Sequence, residues 1–233
     1  MAEESILDGL DPFDLLDREA DRVHSLFTSE PDWSRSSRCA GWTVRDMLGH
    51  LMGLEDYTRA NLDNGVGDLF RAAEQAGAVD VVAFNDWQLR SYADVPTDEL
   101  VGEWREAQVA NRQELRARGR QGSVDTSVGE YPSWLQTFHF AVEYATHGDD
   151  IYVVVPEEDR RERSAWRVVF GRFVLEELER PITVTPRDDL VVVESEVGRT
   201  ELSPEDFIEA TVGRLPDAHW LDGRLRKLLA TVP

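Results

Sequence analysis

The chain has 233 residues, of which 41% are hydrophobic, and its formal net charge is −21. This length and apolar content predict a folded globular protein, and no apolar run reaches the roughly 18 residues that a membrane span needs. The negative charge repels phosphate backbones and anionic lipid surfaces, so neither nucleic acid nor a membrane is an expected partner. The acidic N-terminus lacks the basic and apolar segments of a signal peptide, and we expect a cytoplasmic location.

The single cysteine, Cys39, restricts the chemistry that the chain can carry. It has no partner for a disulfide or for a CxxC motif, so any metal site must depend mainly on histidines and carboxylates. No basic partner that would lower the pKa of the thiol is identified from the sequence. Cys39 is therefore interpreted as a small residue of a loop or a helix edge.

Four long stretches repeat apolar residues with a period near 3.6, which predicts four amphipathic helices. These stretches are residues 11–28, 43–62, 97–118 and 133–152. Thr43 and Asp46 form a T-x-x-D capping box at the start of the second stretch. A weaker helical pattern follows the break "NGVGD", within "VDVVAFNDWQLRSYADV". Four long amphipathic helices with intervening loops predict an antiparallel four-helix bundle.

The pattern changes after "VVVPEEDRRE". We expect a helix from about Arg163 to Leu178. The β-branched runs "ITVTP" and "LVVVESEV", separated by "RDD", predict a hairpin. Ser203, followed by Pro204, predicts the start of another helix. The expected organisation is a mainly α protein, with a helical bundle over residues 1–155 and a small α+β region over residues 156–233.

His139, Glu143 and His147 recur every four positions in the last of the long helices. Neighbours in this series project from one helix face. The outer two histidines are about 12 Å apart along the axis, which makes it hard for one ion to bind both. One neighbouring pair plus a ligand from another helix is the workable arrangement.

His50 is a candidate for that additional ligand. It lies three residues after Met47 and four before Leu54, within the apolar stripe of the second helix. A buried imidazole needs a partner, and facing helices of bundles assemble metal sites. Two histidines, one carboxylate and a fourth position for water or substrate are the pattern of a catalytic zinc site. The alternative is a core histidine that is hydrogen-bonded to Glu143, with His147 at the surface.

The motifs "RCAGWTVRDMLGHL" and "EYATHGDDI" together resemble the N-terminal metal-binding domain of the mycothiol-dependent maleylpyruvate isomerase family. This family is a branch of the DinB-like (DinB/YfiT) four-helix bundles, and the resemblance covers roughly residues 10–155. It implies that His50, Glu143 and His147 bind a divalent metal, with Zn²⁺ as the expected ion.

The resemblance also identifies Asp150 as the acid that follows the second histidine of the family. By its position, Asp150 could hydrogen-bond the second ring nitrogen of a ligand and fix its tautomer. His139 does not belong to the family's ligand triad, and a site that uses His139 with Glu143 is an alternative. The C-terminal region is short for the second domain of the family.

The resemblance implies mycothiol as a thiol cofactor and a small electrophile such as maleylpyruvate as substrate, in an isomerase or S-transferase. Arg90 is a candidate for binding a carboxylate of the thiol or the substrate, with Asn85 and Trp87 beside it. The alternative for Arg90 is a solvated surface side chain.

Two other functions stay open. One is a non-catalytic, DinB-like metal-binding or stress-response module, in which the bundle forms a homodimer. The other is a metal-dependent hydrolase, in which the fourth position binds water. A closed site with a fourth protein ligand such as His139 would favour the module, and a site open to external ligands would favour an enzyme.

Overall fold

Helices dominate the computed structural model, which describes residues 4–187 and 189–231. The chain divides into two units, one of which is Asp11–Val154. The other unit contains the described residues up to Leu10 together with those from Val155 onward. The sequence grouped the first ten residues with the bundle, whereas the described ones among them group with the C-terminal region. Within the described ranges, no helix combines the length and the apolar content needed to cross a bilayer.

The Asp11–Val154 unit contains the four predicted long helices. In chain order its elements are α1 (Pro12–Phe27), α2 (Val44–Asp63), α3 (Val66–Gln75), α4 (Val81–Ser91), α5 (Thr97–Arg118), β1 (Ser123–Thr126), β2 (Gly129–Pro132) and α6 (Ser133–Asp150). Helices α1, α2, α5 and α6 correspond to the four amphipathic stretches, and the prediction of a mainly α fold is confirmed.

Local hydrogen bonds explain where the first two long helices begin. The Asp11 carboxylate accepts from the amides of Phe13 and Asp14 at the start of α1. Thr43 and Asp46 form the reciprocal capping box at the start of α2, as predicted. Because each cap satisfies amides that have no partner within the helix, the sequence alone defines both starting points.

Helix α3 begins inside the predicted break. Asn64 ends α2 in the left-handed conformation, with φ of 56°, and Gly65 precedes the first residue of α3. The turn therefore needs only two residues, and the apolar side chains of Val66 and Ala73 become buried. The β1–β2 hairpin is a second element that the periodicity did not predict, since its strands have four residues each.

The core of this unit lies between helix pairs. Helix α1 packs on α6, and α2 packs on α5. The buried apolar side chains include Leu15, Leu16, Met47, Leu48, Leu51, Trp104, Phe138 and Tyr144. Helix α4 also packs on α2, where Gly53 allows a close approach: the amide of the buried Gln88 side chain donates to the Gly53 carbonyl at 2.7 Å.

A polar network is also buried in the bundle core. The Glu55 carboxylate accepts hydrogen bonds from the Tyr144 hydroxyl and from the Asn111 side-chain amide. The Trp104 indole donates to the Tyr144 oxygen at 3.1 Å. Burial raises the pKa of Glu55 to about 7, although the bonds from Tyr144 and Asn111 oppose the rise. Ionising this carboxyl group therefore has a cost within the folded protein.

The second unit is the expected α+β region. Its elements are a short 3₁₀ helix (Glu4–Leu7), α7 (Glu157–Glu177), β3 (Ile182–Arg187), β4 (Leu190–Ser195), β5 (Gly198–Leu202), α8 (Pro204–Thr211) and α9 (Gly223–Leu229). Helix α8 begins with the predicted cap, in which the Ser203 hydroxyl accepts from the Asp206 amide. Strands β3 and β4 form the predicted hairpin, and Asp188 of the predicted "RDD" separator lies outside the described residues.

Two features of this unit differ from expectation. A third strand, β5, pairs antiparallel with β4 and gives the sheet order β3-β4-β5. Helix α7 begins at Glu157, before the expected start, because Pro156 precedes it and three acids in its first turn complement the helix dipole. The unit has an apolar core that includes Val168, Leu175, Val184, Val191, Val193, Leu202, Phe207 and Leu225.

Candidate metal centre

Helices α2 and α6 bring three candidate ligands together. Nε2 of His50 lies 3.1 Å from Nε2 of His147. A carboxylate oxygen of Glu143 lies 3.2 Å from the same His147 nitrogen. One ligand atom from each of these residues lies within 4.8 Å of the other two. The four-residue spacing on α6 places Glu143 beside His147, and the apolar stripe of α2 directs His50 towards them.

The three side chains differ in their exposure to solvent. His50 and His147 are both buried, with 8% of their surface exposed. The Glu143 side chain is 39% exposed. The cluster thus lies at the edge of the bundle core, and solvent reaches it on the side of Glu143.

Asp150 connects this cluster to Cys39. Its Oδ2 atom lies 3.1 Å from Nδ1 of His147 and 3.2 Å from the sulfur of Cys39. Asp150 has no exposed surface. The contact with His147 is the one that the sequence position of Asp150 predicts, whereas the contact with Cys39 was not anticipated.

The electrostatics of the cluster favour a bound cation. Burial lowers the pKa of His147, but hydrogen bonds to Asp150, Cys39 and Glu143 outweigh this effect and raise it well above the usual value. Burial raises the pKa of Glu143, but the hydrogen bond to His147 and the nearby imidazoles lower it overall. Positive charge is therefore stabilised beside His147, and Glu143 is ionised at neutral pH.

A loop between α1 and α2 covers one side of the cluster. In this segment, which we call the Cys39 loop (residues 35–43), the Trp42 ring lies 5.1 Å from the His50 ring between centroids. The Arg38 amide donates to the backbone carbonyl of Asp150 at 2.9 Å. The sequence predicts Cys39 in a loop or at a helix edge, but it connects neither Cys39 nor Trp42 with the histidines. Their separation along the chain from α6 leaves no local signal of these contacts.

His139, the alternative ligand, is positioned differently. Among the described residues, His139 does not belong to the group whose ligand atoms lie within 4.8 Å of one another, which consists of His50, Glu143 and His147. The His139 ring is half-buried and lies 6.0 Å from the Tyr131 ring between centroids. Burial lowers the pKa of His139 to about 4, although the charge of Glu143 opposes this change. His139 is thus a neutral side chain at physiological pH.

The three candidate contacts for thiol or substrate lie on α4. Arg90 is exposed, and Asn85 and Trp87 are half-buried. The Trp87 ring contacts Phe84, with 5.7 Å between ring centroids. Binding of thiol or substrate by Arg90, Asn85 and Trp87 stays a prediction.

The donor set and its spacing fit a divalent transition metal. In a tetrahedral site with metal–nitrogen distances of about 2.0 to 2.1 Å, two ligand atoms lie about 3.3 Å apart. The observed separations at His147 Nε2, 3.1 Å to His50 and 3.2 Å to Glu143, are close to this value. The carboxylate on the far ring nitrogen of His147 is also a common feature of metal-binding histidines.

The fold and the cluster together define a DinB-like helical bundle of the metal-binding class. The sequence profile described as the mycothiol maleylpyruvate isomerase N-terminal domain matches residues 13–152. This match covers more than half of the chain and ends close to the boundary of the first unit at Val154. The chain therefore belongs to this family, as the two motifs predicted, and the family links it to a divalent metal and to mycothiol.

No curated protein and no solved structure gave a significant match to the chain.

Proposed function

We propose that this protein is a divalent-metal-dependent, mycothiol-dependent isomerase or S-transferase that acts on a small electrophile such as maleylpyruvate. The convergence of His50, Glu143 and His147 within a domain of this family carries the proposal. In this proposal the three residues are the metal ligands, and Zn²⁺ is the expected ion because two imidazoles and one carboxylate are donors that it commonly uses.

The ligands contribute one negative charge, because Glu143 is ionised and both imidazoles bind as neutral rings. A divalent ion in the site would therefore retain net positive charge. When bound, such an ion would lower the pKa of a coordinated thiol and so favour the thiolate, the form that adds reversibly to a conjugated double bond. Addition would turn that bond into a single bond, with the electron pair held by the conjugated carbonyl, and return of the pair after rotation would expel the thiolate.

The surrounding residues prepare the ligands for this role. In the metal-bound state, Nδ1–H of His147 would donate a hydrogen bond to Asp150, which leaves the lone pair of Nε2 directed towards His50 and Glu143. Trp42 lies against the His50 ring and would limit its reorientation. The exposed part of Glu143 marks the side from which a small thiol and its substrate can approach.

The composition of the cluster favours an enzyme over a closed structural site. Three donors leave one position of a tetrahedral ion for an external ligand. Among the described residues, the group of three donors does not include His139, which supports a fourth position that is free for an external ligand. A hydrolase would place water there, so dependence on the thiol distinguishes it from the proposed enzyme.

The first test is the metal content of the purified protein beside that of three variants. We expect near-stoichiometric metal in the wild type and its loss in His50→Ala and Glu143→Ala. His139→Ala is the matched control, since it removes an imidazole from the same face of α6, and it should retain the metal. Metal retained in His50→Ala, or lost in His139→Ala, would contradict the proposed ligand set.

The second test is calorimetric titration of mycothiol into the metal-loaded and the metal-free protein. Binding that requires the metal supports the thiol-dependent function. Isomerisation of maleylpyruvate, followed with and without mycothiol, then separates an isomerase from an S-transferase that accumulates the thiol adduct. A metal-loaded protein that neither binds mycothiol nor turns over an electrophile with it would refute the proposed function.

A further inference from the structure

We propose that Cys39 is a positioning residue of the candidate metal centre, because its thiol holds the Asp150 carboxylate that orients the His147 ring. The inference rests on the proposed function, in which His147 is a metal ligand. It assigns to Cys39 neither metal coordination nor nucleophilic attack. It starts from one carboxylate oxygen that two side chains share.

That oxygen is Oδ2 of Asp150. It lies 3.1 Å from Nδ1 of His147 and 3.2 Å from the Cys39 sulfur. An ionised carboxylate only accepts hydrogen bonds, so the thiol is the donor in its contact with Asp150. The thiol therefore stabilises the same oxygen atom that accepts the hydrogen bond from Nδ1–H of His147.

The surroundings of Asp150 make this second donor important. Asp150 has no exposed surface, so bulk water does not solvate its carboxylate. A buried carboxylate depends on hydrogen bonds from protein groups to compensate for lost hydration. Removing one donor leaves the carboxylate freer to rotate, and rotation of Oδ2 changes the direction of the His147 ring.

The thiol is itself held in place by the Cys39 loop. The Cys39 amide donates to the Ser37 hydroxyl at 3.1 Å, and the Trp42 amide donates to the Cys39 carbonyl at 3.1 Å. The Ser37 amide donates to the Trp42 carbonyl at 2.8 Å. These bonds fix the loop backbone, so the sulfur approaches Asp150 from a defined direction. The loop thus adjoins both histidines, through Trp42 at His50 and through Cys39, whose sulfur lies within 4.8 Å of a His147 ring nitrogen as well as beside Asp150.

Four variants test the inference: Cys39→Ala, Cys39→Ser, Asp150→Ala and the double variant Cys39→Ala/Asp150→Ala. Serine keeps a hydrogen-bond donor at position 39, whereas alanine does not. Ser36→Ala, an exposed serine of the same loop, is the control. The probe is Co²⁺ alone, without any thiol. The readouts are the Co²⁺ dissociation constant, the visible spectrum, and the ring nitrogen NMR signals of His147 in the metal-free protein.

We expect Cys39→Ala to weaken Co²⁺ binding by about tenfold, at the lower end of the loss typical for residues that support a metal ligand. Cys39→Ser and Ser36→Ala should bind Co²⁺ within about twofold of the wild type. In the Asp150→Ala background, the added Cys39→Ala change should alter affinity by less than about twofold, because the thiol acts through Asp150. The NMR chemical shift of Nδ1 of His147 should change in Cys39→Ala and stay unchanged in Cys39→Ser.

Two results would overturn the inference while leaving the metal centre intact. The first is a Cys39→Ala protein with wild-type Co²⁺ affinity and an unchanged His147 signal. The second is a cobalt–sulfur charge-transfer band that disappears in Cys39→Ala, since this band would make Cys39 a direct ligand.

Failure of the proposed function gives a different pattern, in which the wild type binds no Co²⁺. The NMR signal of the metal-free protein then decides the role of Cys39. A signal that moves in Cys39→Ala but not in Cys39→Ser supports positioning by the thiol, and an unchanged signal refutes it.

Discussion

Nε2 of His50 lies 3.1 Å from Nε2 of His147, although 97 positions separate these residues in the sequence. At this distance the two nitrogens share one proton or one cation, since two protonated rings would repel each other. The Glu143 carboxylate lies beside the same His147 nitrogen. A proton and a metal ion thus compete for one set of lone pairs.

We expect metal affinity to rise about tenfold for each pH unit below the pKa of His147. Burial lowers this pKa, but the hydrogen bonds to Asp150, Cys39 and Glu143 raise it well above the usual value, so binding displaces a proton at neutral pH. The pKa of Glu143 is lowered, so this residue releases no proton in that range. Chelator competition at several pH values measures the slope. A constant affinity between about pH 6 and pH 8 would contradict this expectation.

Replacing Asp150 should weaken metal binding without removing a ligand. We expect Asp150→Ala to lower affinity by roughly 10–100-fold, because the His147 ring loses the carboxylate on Nδ1. The described residues hold two groups of ligand-type side chains, His50 with Glu143 and His147, and Cys39 with His147 and Asp150. Asp149→Ala is the control, since this neighbouring acid belongs to neither group. Equal metal affinity of the two variants, measured by chelator competition, would show that the carboxylate at position 150 has no special role.

A methyl group at Gly53 should disrupt the packing of α2 against α4. A Cβ atom there would lie 2.7 Å from Cδ and 2.9 Å from Cβ of the buried Gln88 side chain. We expect Gly53→Ala to destabilise the protein by about 1–3 kcal/mol, because overpacking exceeds the helix-propensity gain of about 1 kcal/mol. Gly102→Ala is the matched helical control, since a Cβ atom there meets nothing within 4 Å. Thermal unfolding should show a lower Tm for the first variant and an equal or higher Tm for the second.

Glu55 should make the bundle less stable as the pH rises. Its pKa is about 7 in the folded protein, against 4.5 for a model carboxyl group. The folded state therefore binds more protons than the unfolded state between these values, and the free energy of unfolding falls as the pH increases through this window. The loss is about 3 kcal/mol, since a displacement of the pKa by one pH unit corresponds to about 1.4 kcal/mol.

Glu55→Gln should remove this part of the pH dependence, because the amide stays neutral and its single oxygen can still accept one of the two hydrogen bonds from Tyr144 and Asn111. The measurement is the free energy of unfolding by urea at about pH 5 and about pH 8, on either side of the window. We expect the free energy of unfolding of the variant, relative to that of the wild type, to be larger at the higher pH. A difference that is the same at both pH values would refute the assignment to Glu55.

Several elements could be predicted because their determinants lie within one turn of helix. The Thr43–Asp46 cap at the start of α2 and the Ser203 cap at the start of α8 are examples, since their hydrogen bonds join residues three positions apart. Strand β5 could not be predicted in the same way. Its short sequence, "GRTEL", lacks an apolar alternation, and its pairing with β4 is what makes it a strand.

The candidate site likewise has features that local sequence patterns predict and features that they do not. The spacing of Glu143 and His147 and the apolar stripe that contains His50 are local patterns, and they pointed to the three side chains that the structure brings together. The contact of Cys39 with Asp150 spans 111 positions, and the bond between Glu55 and Tyr144 spans 89. Such contacts cannot be predicted from the periodicity of the sequence, because they depend on how helices and loops pack.

Caps, helical periodicity and motifs are properties of neighbouring positions. The bundle helices, the family and the ligand-type residues could therefore be predicted from the sequence. The positions of Cys39 and Trp42 beside the histidines are visible only in the folded structure. The same is true of the absence of His139 from the group of His50, Glu143 and His147 among the described residues. The physical reason is that hydrogen bonds and ring contacts act over a few ångströms, and only the folded chain brings distant residues within that range.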